Sequence, residues 1–459
     1  MTAGLSQKDE KFLKESLHAP MLRVVLTVGM PLALYQTLQQ LFSILDTMMA
    51  SHISAESVSA VAYLSQLSSI LSAIGSGLAI GAGILISRAF GEENFELVKR
   101  RVSTLYAMCL MAGLGILLLI LPVSGAFLRF AGTPEELIRT GQPYFRVQLL
   151  VLVVSFLDNV YISVERARGN AKRILRLNLL CITVKLILTA LFVYVLRGDL
   201  VMIAYASFAS QSLMLFFAVK NSIDSGNIFG FHLASVSFRR ELTAPMLHTS
   251  YPVMLEKALF SFGKTIINSM AAGYGALTVG ALGVSNNLGG ITTNPQNGFQ
   301  DGAAAIISQN EGAQKPERVL QAFHVTLLLC MLEGALVSGA ELCLLRPLSG
   351  LFSSDHPAFQ QLIMDVYRWE ALGAVPLGAN CAVMALLYGL GETRFTLLIN
   401  VSRVFVFRIP VFLFLRHCTN FGSQSCGVVM FVSNFLTAVL AMLIGLRVIH
   451  RYRKIHHLK

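Results

Sequence analysis

Residues 77–91 read GLAIGAGILISRAFG, and residues 298–312 read GFQDGAAAIISQNEG. Laid over one another at a shift of 221, Gly77 falls on Gly298, Gly81 on Gly302, Ile86-Ser87 on Ile307-Ser308 and Gly91 on Gly312. Upstream the same shift superposes Pro31 on Pro252, Leu34 on Leu255, Ala50 on Ala271 and Ala60 on Ala281. Downstream, at a shift of 222, Gly169-Asn170-Ala171-Lys172 lies over Gly391-Glu392-Thr393-Arg394, and Asn178 over Asn400. Similarity that keeps its register over most of a chain is an internal repeat, not coincidence of composition.

The repeat is written in membrane language. Of 459 residues 54% are hydrophobic and only 13% charged, with a mean hydropathy of +0.64, too apolar for a soluble fold of this length. Apolar runs long enough to cross a hydrocarbon core recur throughout. Helices are predicted over 22–46, 58–87, 102–121, 143–165, 177–196, 200–219, 246–272, 278–308, 319–345, 358–389, 395–416 and 426–447. The fold class is therefore all-α integral membrane, twelve transmembrane helices in two homologous six-helix bundles. The opening residues MTAGLSQKDEKFLKESLHAP are polar and resemble no cleavable signal peptide. The seven cysteines lack CxxC spacing and sit mostly in apolar runs, as small core hydrophobes; Cys418 and Cys426 share a short polar loop where a disulfide is conceivable.

A net charge of +11 suggests nucleic acid until the charges are placed. The N-terminus, every second loop and the C-terminus carry 22 of the 36 Lys and Arg, with clusters at Lys99-Arg100-Arg101 and at Arg166, Arg168, Lys172, Arg173 and Arg176. The alternate loops hold five: Arg129, Arg139, Arg197, Arg346 and Arg416. By the positive-inside rule both termini are cytoplasmic, and the crossing number is even. The expected division is a cytoplasmic segment 1–21, a bundle 22–219, a cytoplasmic linker 220–245, a bundle 246–447 and a basic tail 448–459. Six is even, so the two repeats enter the membrane from the same side, and a pseudo-two-fold along the membrane normal is expected, with alternating access through a cleft between them. The second helix of each half carries a paired polar or glycine-rich stretch, Gly75-Ser76-Gly77 and residues 292–298, which reads as a helix interruption facing a cavity; close packing through small residues is the competing reading.

At these positions the sequence resembles the MATE family, the multidrug and toxic compound extrusion transporters. Pro31 with Leu45-Asp46-Thr47 resembles the family's first-helix proline and Val-Asp-Thr, and Gln309-Asn310-Glu311-Gly312 its Gln-x-x-Gly pattern. Pro252-x-x-Leu255-Glu256 with Gly263-Lys264 is similar to a prokaryotic branch, and Gly391-Glu392-Thr393-Arg394 to its Gly-Asp-Thr-Arg turn. The resemblance implies export of amphipathic, often cationic organic compounds in exchange for H+ or Na+, with no other cofactor. Family members often carry a second acid on helix five, four residues after an Asn. Here that place is Ile182, and Lys185 follows one turn later.

A cation-driven exporter needs intramembrane acids that can be charged in one state and neutralised in another. Asp46 and Glu256 are the candidate ion-coupling residues. Tyr35, Gln39, Phe42 and Asp46 share one helical face, and Glu256 occupies the repeat position of Tyr35. Asn287, Asn294 and Asp301 recur every seven residues as a polar stripe lining a substrate cleft. Interhelical hydrogen bonding is the plain alternative for the stripe, and snorkelling or a structural ion pair for the acids. Pro31, Asn178, Lys185 and Lys264 are gating or structural polar positions, Lys185 as a partner of Asp46; Lys257, Lys264, Arg403 and Arg408 are candidate partners of Glu256 or Asp301. Glu333 and Glu341 read as structural. The expected partners are small organic substrates and the lipid bilayer, with no nucleic acid, and the chain is expected as a monomer. A lipid-linked oligosaccharide flippase of the same superfold is the alternative, favoured by intramembrane lysines. An enzyme is disfavoured: neither His-Glu-x-x-His nor Gly-x-Ser-x-Gly occurs.

Overall fold

A chain that must satisfy its backbone polar groups inside lipid can do so within helices, and long apolar runs without a breaker let each helix continue from one face to the other. The computed structural model describes residues 5–50, 55–133, 135–196, 198–222, 227–353 and 356–458, with the side chains of 43, 44, 46–50, 55–62, 136 and 276 outside that description. Among the described residues there is no strand, and twelve long helical spans follow one another. They are α1 (Met21–Ala50), α2 (Ala55–Gly91), α3 (Phe95–Ile120), α4 (Glu135–Ala167), α5 (Ala171–Ala190, carried on by a π-helical turn Leu191–Val195) and α6 (Leu200–Ser222). The second half continues with α7 (Arg240–Ala272), α8 (Ala276–Gly312), α9 (Pro316–Cys343), α10 (Pro357–Leu372 and Ala374–Leu390), α11 (Thr393–Val401, a π-helical stretch Ser402–Arg408 and Ile409–Cys418) and α12 (Ser425–Ile455). Nine of these are apolar enough to cross a membrane by length and composition, and α10, bent by 45° at Gly373, makes a tenth. The two left over are α7 and α8, which carry Glu256, Lys257 and Lys264, and Asn287, Asn294, Gln296 and Asp301.

The repeat is visible in backbone geometry. Glu93 and Gln314, 221 apart, are both left-handed, with φ of 57° and 55°; Gly169 and Gly391, 222 apart, have φ of +72° and +80°. At the glycine pair the same capping bonds recur. Asn170 N–H donates to the Glu165 carbonyl at 2.8 Å, and Glu392 N–H to the Leu387 carbonyl at 2.8 Å. Such a left-handed cap stops a helix cleanly and costs a glycine little.

The chain forms two compact units. One comprises Met1–Glu15 and Leu41–Ala258, the other Ser16–Gln40 and Leu259–Lys459. The unit boundaries thus fall between Glu15 and Ser16, inside α1 and inside α7, whereas the repeat boundary in sequence lies at the linker. Within the first unit, a Cβ on Gly77 would come within 2.6 Å of the Met254 backbone, and one on Gly81 within 2.4 Å of Ser250. Within the second unit, a Cβ on Gly298 would come within 2.4 Å of Ala33, and one on Gly302 within 3.2 Å of Gly29. These are the same contacts at repeat-equivalent positions: α2 presses on α7 in one unit as α8 presses on α1 in the other. In lipid no hydrophobic force draws helices together, so close backbone approach through small residues is the main packing term.

The expected interruptions of α2 and α8 are therefore corrected. Both helices run unbroken through Gly75-Ser76-Gly77 and through residues 292–298, Pro295 included. The glycines serve helix crossing, and the polar run is absorbed by hydrogen bonds to neighbouring helices described below. The polar N-terminal segment folds as a helix, Gln7–His18. Its Asp9, which is buried, accepts two hydrogen bonds from the half-buried Arg168, at 2.9 and 2.8 Å. Cys418 is exposed and Cys426 buried, both as free thiols, which removes the conceivable disulfide.

Candidate transport site

The second unit holds a polar interior built on α8. Gln40, the last residue of the α1 segment belonging to this unit, donates to Asn287 Oδ1 at 3.2 Å and accepts from Asn294 Nδ2 at 3.1 Å. Asn287 and Asn294 lie two turns apart on α8, so one amide can span both, above Gly290, where a Cβ would collide with it at 2.8 Å. Between them in sequence, Thr292 donates to Glu341 of α9 at 2.6 Å, and Tyr367 of α10 donates to the same carboxylate oxygen. Gln296 donates to the Cys330 and Ala374 carbonyls, both at 3.1 Å. Asn297 accepts from the Cys381 thiol at 3.7 Å. Asn287 and Asn294 of the stripe are thus joined to α1 by interhelical hydrogen bonds.

Toward the other end of α8, Ser285 donates to Glu370 of α10. Glu370 stands within electrostatic reach of Arg408, Arg403 and Lys264. Arg403 and Arg408 both donate to Asn434 of α12, at 2.8 and 3.2 Å, and Arg408 also to Ser433 at 3.2 Å. Lys264 is exposed, and its ammonium lies 5.1 Å from the Phe260 ring centroid, with the Arg403 guanidinium 5.4 Å from the same ring. Three cations and one acid thus share this corner. Glu370 was not singled out in the sequence, although it is an acid inside an expected span.

The first unit carries Glu256, 5% exposed, on α7. Asn178 is buried on α5 and donates to the Ile174 carbonyl of its own helix at 2.9 Å. Lys185 is half-buried on the same helix. Asp46 has its backbone in α1, but its side chain, and with it the expected Asp46–Lys185 pair, lies outside the described residues. Of the remaining expected residues, Pro31 and Tyr35 are buried, Phe42 and Asp301 half-buried, and Gln39 exposed. It is Gln40, not Gln39, that meets the α8 stripe. Asp158 of α4, also passed over in the sequence, is 3% exposed.

Against known proteins, the MatE family model matches residues 31–191 and 252–414. The two windows start 221 residues apart, at the repeat's own shift. The probable multidrug resistance protein YpnP of Bacillus subtilis is 24% identical over 308 residues, covering 65% of this chain and 67% of that protein. The multidrug export protein MepA of Staphylococcus aureus is 20% identical over 434 residues, covering 93% and 94%. Among solved structures, one of a MATE protein in complex with MaL6 superposes with a TM-score of 0.91 at 20% identity, over 98% of this chain and 100% of that one. A transporter of the MOP superfamily from Pyrococcus furiosus, described as having a binding pocket of reverse polarity that suggests a different function, superposes at 0.90 and 20% identity, over 96% and 99%. A family match that covers both halves, on the register the repeat had already set, makes this chain a member of the MatE family, with the twelve-helix fold of its transporters.

Proposed function

We propose that the chain is a secondary active transporter that exports amphipathic, often cationic organic compounds by alternating access, in exchange for H+ or Na+. The observation that carries the reading is Glu256, a carboxyl group 5% exposed inside a membrane span. An acid kept in such a place is expensive unless a proton, a metal cation or a cationic group neutralises it, and a group neutralised by turns by ion and substrate couples their movements. The names of the bacterial relatives support the substrate class. In this reading Asp46 and Glu256 are the coupling acids, and Tyr35, Gln39, Phe42, Asn287, Asn294 and Asp301 face the substrate path. Pro31, Asn178, Lys185 and Lys264 shape the gates. The protein works as a monomer in the bacterial inner membrane with both termini cytoplasmic.

Purified protein in liposomes loaded with tetraphenylphosphonium provides the test, with proton and sodium gradients imposed separately. Faster export under one gradient is the expected result, and Glu256→Gln, which keeps shape and fixes charge, should reduce it to the level of loaded liposomes without protein, at unchanged expression. Equal export with and without either gradient would overturn antiport. The cations around Glu370 favour a second reading, flipping of a lipid-linked oligosaccharide pyrophosphate. Gradient-independent movement of such a lipid across the same liposomes, with tetraphenylphosphonium left in place, would select it.

A further inference from the structure

Asp158 lies in α4 nine residues before its end at Ala167, about 14 Å along the helix axis, well inside the span. The carboxyl is 3% exposed, and neither oxygen has a hydrogen-bond partner among the described residues. The groups that face it electrostatically are the Tyr106 phenol of α3 and the Cys181 thiol of α5. No Lys or Arg among the described residues contributes, from α2, α3, α5 or α6 or from α4 itself. The Cys181 carbonyl is occupied by Ser210 of α6, which donates to it at 2.7 Å. An ionised carboxylate at this point would have neither a donor nor a counter-charge among the described residues, an arrangement that costs several kcal/mol.

The repeat supplies an independent observation. At the shift of 222 that superposes Gly169 on Gly391, Asp158 falls on Asn380 of α10. Asn380 is 4% exposed, and its Oδ1 likewise has no hydrogen-bond partner among the described residues. The same position in the two halves thus buries a side chain of the same size with a donorless oxygen. In one half it is an amide that stays neutral, and in the other an acid that is neutral only while it holds a proton.

We infer that Asp158 is a proton-binding site of the N-terminal half, loaded in this conformation, that gives its proton to water when rearrangement of the helices around it lets water in. Its contribution to transport rests on the antiport reading; its protonation does not. In the closed interior the neutral acid is the isostere of Asn380, and the site discharges only in a state that hydrates it. Proton release is thereby tied to conformation.

The test uses the full-length protein with 13C-labelled aspartate, followed by infrared spectroscopy across neutral pH. One labelled neutral-carboxyl band should persist at neutral pH and be lost in Asp158→Asn, while Asn380→Ala leaves it in place. A spectrum with the same bands in wild type and Asp158→Asn would overturn the site whatever drives transport. Asp158→Asn should fold, since Asn380 already stands in the equivalent place, and a variant that fails to fold overturns the isostere argument. In an unbuffered solution with a pH dye, tetraphenylphosphonium binding should release fewer protons from Asp158→Asn than from wild type. Unchanged release beside a lost infrared band would leave the proton bound throughout and overturn its discharge. If neither gradient drives export but the band behaves as stated, antiport fails and the binding site stands.

Discussion

Gln39 and Gln40 are adjacent on α1 and carry the same side chain, yet only Gln40 reaches α8. One step along a helix turns a side chain through about 100°, enough to exchange an exposed direction for an interhelical one. Gln40→Ala strips Asn287 of a donor and Asn294 of an acceptor in a partly buried place. The expected loss is about 1 kcal/mol or more, because polar groups left without partners cost more than the bond itself contributed. Gln39→Ala, at an exposed site, should stay within about 0.5 kcal/mol of wild type. Thermal unfolding in one detergent measures both, and equal shifts would refute the assignment. The sequence located the polar face of α8 from its seven-residue recurrence, but its partner on α1 depends on helix rotation and depth, which no local pattern in α1 records. Asp158 and Glu370 had a local signal, an acid within an apolar span, which by itself argues for function. Which groups face them depends on the neighbouring helices, which no local pattern in α4 or α10 records.

At the scale of the element, the glycines of the repeat were legible as a pattern but not in their role. Gly77, Gly81, Gly298 and Gly302 read equally well as helix breaks or as close crossings, and what separates the two is whether another backbone lies against them. For Gly298 it does, at 2.4 Å, whereas a Cβ on Gly283 of the same helix would meet nothing within 4 Å. Gly298→Ala is therefore expected to cost about 1–3 kcal/mol by overpacking against Ala33. Gly283→Ala should gain up to about 1 kcal/mol, the ordinary advantage of alanine over glycine inside a helix. Opposite shifts in unfolding temperature are the expected outcome, and a destabilised Gly283→Ala together with a neutral Gly298→Ala would mean that α8 does bend at the glycines. Pro295 does not interrupt α8. Its missing N–H removes one helical bond, while Thr292, Asn294 and Gln296 tie the same turn to α9, α1 and α10.

For the whole molecule, the two halves and the twelve spans were readable from periodicity and length, because a hydrocarbon layer sets both. The exchange of α1 and α7 segments between the compact units was not, since it depends on contacts far apart in sequence, such as Gly81 with Ser250 and Gly302 with Gly29. Orientation in the membrane rests on charge, and here the structure sharpens the count. Some of the basic residues behind the positive-inside reading are held by the protein: Arg168 by Asp9, Arg318 by the Ser16 and Ala19 carbonyls, and Arg101 by the Leu85 carbonyl at 2.5 Å. With these three set aside, nineteen of the 22 remain against five in the alternate loops. Among the five, Arg129 is paired with Glu135 at 2.8 Å. The asymmetry survives, and Lys and Arg close to span ends are the charges that fix orientation. A reporter fused after Lys459 and another inserted between Asn221 and Phe238 should therefore both read cytoplasmic, and one at Ser353 should read external. A cytoplasmic signal at Ser353 together with external signals at the other two would invert the molecule, and discordant signals at the linker and the C-terminus would break the even count of spans in the second half, on which the parallel repeat depends.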